Sequence, residues 1–416
     1  MFKAISRTHV DVRNSEIISY LFQLLNVNKA TGTENLKEFE EAFAKYIGVK
    51  HAISFPSCRS GMLFTMKALE LAEEDEVILP AYTFWIDAAM VILAGLKPVF
   101  VDVEFETHSI DPEKIEAAIT PRTKVIFITH LNGFPAKMGA IMTIAKKHGL
   151  RVMEDSARSC AAISNGKRVG SFDIGNFSFG YGKSFYCYGG GMVTSDDDVF
   201  AEKLRAIKQD FVNKPVKDLY IQTLKGSLLK YLNLPYIYRL SLYQLVYGFQ
   251  VDEKEKYGTR FKVKMAPIPE IPDSYTANMD NIQVSHGFKQ LQRNDQLNAK
   301  RMENARILID ELKEVKEITL PPHSPDAQHL CVHFTIWTEH KKELQKYLTR
   351  HRIDSQDESA TNTTLFEQFT PYAEGKSFPN TEKLHGNVLF LPAHPTLSRE
   401  DMLYMAGKVK AFFAGM

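Results

Sequence analysis

The chain has 416 residues, 44% of them hydrophobic and 24% charged, and a formal net charge of +1. This length exceeds one simple core and predicts two subdomains. The balanced charge excludes a global basic field for nucleic acid. Cys58, Cys160, Cys187 and Cys331 are scattered with no C-x-x-C pair, which argues against a zinc site or a disulfide scaffold and for a reducing, cytosolic setting. The opening MFKAISRTHVDVRNSEI has no apolar signal-peptide core, and no run of 18 apolar residues predicts a membrane span.

From about residue 35 to 200, helix and strand patterns alternate. ENLKEFEEAFAKYIG is apolar at helical spacing and ends in Gly48, a C-cap. HAISF reads as a strand, and PSCRSGMLFTMKALELA as a turn entering a helix. EVILP is a buried strand, IDAAMVILAG a helix and KPVFVDV a strand. DPEKIEAAI opens with Asp111 as N-cap and Pro112 at the first helical position. KVIFITHL, GAIMTIAKKHG and RVMEDS repeat the cycle. The alternation predicts a largely parallel sheet covered on both faces.

The rhythm breaks after residue 205. Residues 206–274 contain LLKYLNLPYIYRLSLYQLVYGF, read as an amphipathic insertion packed on its own subunit or a partner, with a membrane-surface helix as the alternative. Pro235 interrupts any long helix there. DEKEKYGTRFKVK reads as a solvated loop. NMDNIQVSHGFKQLQRNDQLNAKRMENARILIDELK reads as one long helix. HLCVHFTIW is a strand, KKELQKYLTRH a helix and SREDMLYMAGKVKAFF a terminal helix, together a smaller α+β domain. The division is therefore 1–205, an insertion 206–274, and 275–416.

GNFSFGYGKSFYCYGGGMV places one cation, Lys183, among glycines and aromatics. A lysine near glycine-rich backbone either holds a phosphate or forms a Schiff base with a carbonyl cofactor. The P-loop spacing fails, and YGGGMVTSDD turns back into a strand instead of a helix. A Schiff-base cofactor such as pyridoxal phosphate requires an acid for its ring nitrogen, backbone N–H groups for its phosphate and a flat side chain for its ring. Candidates stand at strand ends, where open α/β sheets bind ligands. The acid is Asp155, which could equally be a helix cap. The phosphate turn is Ser57, Arg59 and Ser60. The aromatic is Phe84, which could equally be a core residue.

FSFGYGK, VMEDSA, VFVDVEFETHSIDPEKIEAAITPRTKVIFITHLNG and VLFLPAHPTLSREDM, in this order, resemble the DegT/DnrJ/EryC1/StrS family of pyridoxal-phosphate sugar aminotransferases. The resemblance covers roughly 35–200, 276–300, 329–353 and 388–410. It implies the type I aminotransferase fold, with a mostly parallel central sheet flanked by helices and a smaller α+β C-terminal domain. It implies Lys183 as the Schiff-base lysine, Ser178 on the phosphate, Asp155 under the pyridine nitrogen and Phe84 on the ring. Arg59 and Ser60 fall at the family's small-polar phosphate turn. TANMDNIQ matches a stretch that reaches across a homodimer, so Thr276 or Asn278 would complete the neighbour's phosphate site.

The chain departs from the family at several positions. Arg158 replaces the usual Gln or His three residues after the aspartate, near the cofactor's phenolic oxygen or the substrate. It could hold a substrate carboxylate or phosphate, or pair with Glu154. Cys58-Arg59 replaces a G-T turn, Gly189 stands where Glu is frequent, and SQDESATNTTLF replaces an H-Y-type motif.

The resemblance implies glutamate as donor and a keto or aldehyde sugar as acceptor. The acceptor is either a nucleotide-linked keto-sugar or an ulosonic acid such as an 8-oxo-octulosonate. Lys183 would be the general base. A sugar dehydratase on the same scaffold is one alternative, although that branch replaces the lysine with histidine. A cofactor-binding regulator without turnover is the other.

Overall fold

Strands rich in Val, Ile and Phe alternate their side chains between two covered faces, so each strand must be apolar on both sides. The structure, a computed structural model, describes residues 3–251, 271–322 and 326–416. Its central sheet has seven strands. From one edge to the other they are His51–Phe55, Gly191–Ser195, Ile174–Ser178, Arg151–Asp155, Thr123–Thr129, Glu76–Pro80 and Lys97–Val101. All are parallel except Gly191–Ser195, which pairs antiparallel with both neighbours. The expected parallel sheet is present, and the return strand after Lys183 is its one reversed member.

Alternation divides the core. Val77, Leu79, Val125 and Phe127 face the helices Cys58–Ala68 and Ile86–Leu93, whereas Ile78, Ile126, Ile128 and Val152 face Met138–His148. The caps follow local chemistry. Gly48 and Gly149 close their helices with φ of 92° and 65°, and Asp111 accepts from the Glu113 N–H ahead of Pro112.

Residue 205 lies inside the helix Asp198–Lys208. Among the described residues, the Leu- and Tyr-rich insertion forms the helices Val216–Leu232, Pro235–Leu240 and Leu242–Gln250. Pro235 opens the second at its first turn, which is why the first stops where it does. The insertion packs on its own chain. Tyr243 Oη donates to the Thr349 carbonyl, and Gln250 Nε2 donates to the Ser355 carbonyl at 3.0 Å. The charged stretch DEKEKYGTRFKVK lies outside the described residues.

The long helix is Asn281–Leu312. It starts later than the sequence suggests, because Asp280 and Gln283 form a capping box and Asp273–Thr276 forms a separate 3-10 turn. Behind it, Phe334–Trp337, Val388–Leu391 and Gln356–Asp357 make a second, antiparallel sheet with Val388–Leu391 in the middle. The helices Lys341–Arg350 and Arg399–Ala414 stand beside it. Residues 329–333, expected to begin the first of these strands, lie outside it. The N-terminal arm lies on this C-terminal region. Ile5 bridges to Ile353, and Arg7 Nε donates to Asp354 Oδ2 at 2.6 Å. Among the described residues no helix is long and apolar enough to cross a membrane.

Candidate active site

The register of three parallel strands sets Thr129, Asp155 and Asn176 side by side toward the carboxyl edge of the sheet, the first two ending their strands and the third two residues short of its strand's end. Asp155 accepts the Ala157 N–H at 2.8 Å on its side chain. Burial pushes its carboxyl above the ordinary aspartate range, and the Lys183 ammonium pulls the other way.

Lys183 follows the strand Ile174–Ser178 by five residues, in a turn where Gly182 takes a φ of 77° and the Lys183 N–H reaches the Gly180 carbonyl at 3.3 Å. A side chain at 182 would be strained in this left-handed conformation. Burial lowers the Lys183 ammonium from 10.5 to about 8; the Arg158 cation adds to this and Asp155 opposes it.

A slot of about 50 Å³ is lined by Phe84, His130, Asp155, Ala157, Arg158 and Lys183, among others. A chamber of about 310 Å³ includes Arg7, Arg158, Lys183, Tyr238, Val246 and His333 in its lining. The three sequence-predicted residues Phe84, Asp155 and Lys183 are thus brought together, with Arg158, around one slot. The insertion helices supply a wall of the chamber, a role their sequence does not reveal.

The phosphate-turn candidates stand at the start of the helix Cys58–Ala68. Ser57 caps it by accepting the Ser60 N–H at 3.2 Å, and Ser60 Oγ donates to the Tyr275 carbonyl at 2.6 Å. Both hydroxyls already have protein partners, and Arg59 lies beside the Tyr275 phenol. The anion-binding capacity of this turn therefore resides chiefly in the backbone N–H groups of the helix start. Gly191 keeps it accessible: a Cβ there would lie 2.6 Å from Cys58 N and from the Phe177 carbonyl oxygen. The Ser178 hydroxyl has no protein partner among the described residues. A buried lysine of lowered pKa, a buried acid, an aromatic wall and an open helix start together fit pyridoxal phosphate.

Thr276 Oγ1 donates to the Asp273 carbonyl, and Asn278 Nδ2 to that of Phe211. Neither residue lines the slot or the chamber of its own chain.

Arg158 does not pair with Glu154. The Glu154 carboxylate turns away to accept from His130 Nε2 at 3.0 Å, Gly170 N at 2.7 Å and Phe172 N at 3.0 Å. Arg158 instead donates to Ser359 Oγ at 2.7 Å, His333 Nδ1 at 3.2 Å and Asn132 Oδ1 at 3.4 Å. The Asn132 amide then donates to Glu358, which also accepts from Tyr82 Oη at 2.7 Å. SQDESATNTTLF, the stretch that departs from the family, is thereby stitched to the large sheet's edge loop. Asn132, His333, Ser359 and Glu358 are site residues that sequence reasoning missed. Only Asn132 carried a local signal, the Asn-Gly dipeptide, realised as left-handed backbone with φ 59°.

The comparisons agree with this geometry. The family model of the DegT/DnrJ/EryC1/StrS aminotransferase family matches residues 12–410. The chain is 29% identical over 367 residues to the dTDP-3-amino-3,6-dideoxy-alpha-D-galactopyranose transaminase of Aneurinibacillus thermoaerophilus, covering 88% of this chain and 86% of that protein. It is 40% identical over 204 residues to the UDP-N-acetyl-3-dehydro-alpha-D-glucosamine 3-aminotransferase of Acidithiobacillus ferrooxidans, covering 49% and 55%. Its fold matches that of DesV from S. venezuelae with a TM-score of 0.75 at 26% identity, over 96% of this chain and 94% of that one. The chain therefore belongs to the DegT/DnrJ/EryC1/StrS aminotransferase family and is a pyridoxal-phosphate-dependent sugar aminotransferase of the type I fold.

Proposed function

We propose that this enzyme moves an amino group from glutamate to a keto or aldehyde carbon of a sugar, in cell-surface polysaccharide or lipopolysaccharide biosynthesis. The acceptor is a nucleotide-linked 4-keto-sugar or an ulosonic acid such as 8-oxo-octulosonate. The observation that carries the reading is the position of Lys183, which shares one slot with Asp155, Phe84 and Arg158 and opens onto a chamber large enough for a small polar substrate. The two relatives named for sugar amination support the acceptor class.

Pyridoxal 5′-phosphate supplies the electron sink and the amino-group carrier when bound. Lys183 would hold its aldehyde, Asp155 its ring nitrogen, Phe84 its ring face, and the Ser57–Ser60 turn with Ser178 its phosphate. The chain's own contributions follow from the geometry. Lys183 Nζ is a base matched to neutral pH, suited to taking the proton from the substrate carbon that bears nitrogen. Asp155, held by the Ala157 N–H, supplies a fixed negative charge at the base of the slot. Tyr238, Leu242, Leu245 and Val246 wall the chamber and limit water.

The working enzyme is a cytoplasmic homodimer with sites shared between subunits. Ile18 and Phe22 on the helix Asn14–Leu24, Leu25 just past its end, and Ile221, Leu224 and Leu228 on the neighbouring insertion helix Val216–Leu232 are exposed apolar side chains, which favours association. Thr276 or Asn278 would complete the partner's phosphate site, as the resemblance implies, with the amide hydrogen of Asn278 that the Phe211 carbonyl does not take as the available donor. The test is incubation of the loaded enzyme with glutamate and each acceptor class, with mass detection of 2-oxoglutarate and the amino sugar. Stoichiometric appearance of both products is expected. Failure with every keto and aldehyde sugar, while glutamate is still consumed, would contradict the acceptor assignment.

A further inference from the structure

A guanidinium taken out of water normally faces a carboxylate, because an unpaired buried charge is costly. Arg158 does not. Among the described residues its hydrogen-bond partners are the Ser359 hydroxyl, the His333 ring and the Asn132 amide, all of them uncharged. His333 is held neutral, since burial and the Arg158 cation both drive its imidazolium well below the ordinary range. Glu154 is saturated by other donors; Glu358 and Asp155 attract Arg158 through their charge, but neither hydrogen-bonds it, and Glu358 is bridged to it by the Asn132 amide. Arg7, the other arginine of the chamber, is paired with Asp354 at 2.5 Å.

Three of the five N–H donors of Arg158 have partners. Nε–H and one Nη2–H have none among the described residues. A guanidinium with free N–H groups on two of its nitrogens retains the donors that a carboxylate accepts from. The residue lines both the slot and the chamber, and Lys183 does the same. We infer that Arg158, pre-oriented by Ser359, His333 and Asn132, is the anchor for a substrate carboxylate lying close to the carbon that Lys183 serves. It is then a specificity-determining residue of this enzyme.

The inference rests on the aminotransferase reading and deepens it. A carboxylate near the reacting carbon comes from either of two sources: the α-carboxylate of the amino donor, or the acid group of a sugar acid folded so that its carboxylate approaches the keto or aldehyde carbon. A neutral keto-sugar offers no such partner. The segment that orients Arg158 supports a dedicated purpose. Glu358 and Ser359 belong to the stretch that departs from the family, and Arg158 is itself a departure. The two unusual features meet at one hydrogen bond.

The test uses the full chain loaded with pyridoxal phosphate. Glutarate and glucuronate, which carry carboxylates but no amino group, are titrated calorimetrically into wild type, Arg158→Gln and Arg158→Lys. Thermal unfolding of each protein is followed alongside. Gln is a usual family residue at this position, so a folded variant is expected. Loss of a bidentate charged contact should weaken binding roughly 10- to 100-fold in Arg158→Gln, with Arg158→Lys in between. Weakening of glutarate alone assigns the donor's carboxylate, and weakening of glucuronate alone assigns a sugar acid.

Wild type that binds neither, or an Arg158→Gln that binds both as wild type does, overturns the inference. If Arg158→Gln fails to fold, Arg158→Lys binding equal to wild type overturns it as well. A cofactor band that shifts in the variants while both affinities stay unchanged assigns Arg158 to the cofactor and not to substrate. Throughout, bleaching of the wild-type cofactor band by glutamate reports on the aminotransferase reading separately, so that either claim can fail alone.

Discussion

Arg158 and Lys183 line the same two cavities, and the guanidinium is one of the causes that bring the lysine ammonium down to about 8. Imine formation needs the neutral amine. At pH 7.5 about a quarter of an amine titrating near 8 is neutral, against about one part in a thousand at 10.5. The rate of cofactor loading into cofactor-free enzyme should therefore rise with pH and level off above about 8. Removing a neighbouring cation raises the pKa of a lysine, so Arg158→Gln should move that midpoint to higher pH. Stopped-flow absorbance across pH checks both.

The same shift has a consequence for stability. The folded chain binds fewer protons at Lys183 than the unfolded chain between about pH 8 and 10.5. The buried ammonium thus destabilises the cofactor-free fold at pH 7, and the penalty fades as pH rises through that window. Lys183→Met should raise the melting temperature of the cofactor-free protein at pH 7. The gain should shrink between pH 8 and 10.5. A gain independent of pH would assign the effect to packing alone.

Asp155 carries the fixed charge of the slot. Asp155→Asn keeps its shape and its contact with Ala157 but removes the charge, and should lower turnover by roughly 10²- to 10³-fold. Cofactor content should stay near wild type, because the phosphate turn is untouched. Absorbance after gel filtration and the rate of glutamate-driven bleaching separate the two effects.

Gly191 sits against the helix start, where a methyl group would meet Cys58 N, the Phe177 carbonyl and the Ser57 carbonyl carbon at 2.6 to 2.7 Å. Gly191→Ala must push apart the return strand and the phosphate turn. Overpacking of this kind costs typically about 1–3 kcal/mol. The variant should melt lower and release cofactor more readily on dialysis. Gly48→Ala, where nothing lies within 4 Å but φ is 92°, serves as a control that strains a helix cap and spares the site.

Glu154 is fully buried and accepts from one ring and two backbone N–H groups. Glu154→Ala leaves those donors without an acceptor and should destabilise the fold by about 3–5 kcal/mol. Cofactor chemistry in the surviving folded fraction should remain. Denaturant unfolding with and without cofactor checks this.

Much of the large sheet could be read from the sequence because its signals are local. Apolar strands such as EVILP and KVIFITHL, and caps such as Gly48 and Asp111, need only neighbouring residues to interpret. The position of Asp155 at the end of the strand RVMEDS could be read for the same reason, whereas Lys183 stood out as the one cation in a glycine- and aromatic-rich stretch. The chamber was not legible. Arg7, Tyr238, His333 and Gln356 arrive from four separated segments, and no short-range pattern marks them. The pairing suggested for Arg158 and Glu154 failed on strand geometry, since the Glu154 side chain turns toward His130 and the 170–172 turn while Arg158 faces the slot. The start of the long helix was misplaced because the Asp280–Gln283 box, not apolar spacing, decides it.

The most direct measurement is the visible absorbance of the purified protein after incubation with pyridoxal phosphate, before and after glutamate is added, in wild type and Lys183→Ala. The account predicts a yellow band in wild type that bleaches with glutamate as 2-oxoglutarate appears, and no such catalytic bleaching in Lys183→Ala. A wild type without the band, or a Lys183→Ala protein that converts glutamate at the wild-type rate, would contradict the assignment of Lys183 and the chemistry built on it.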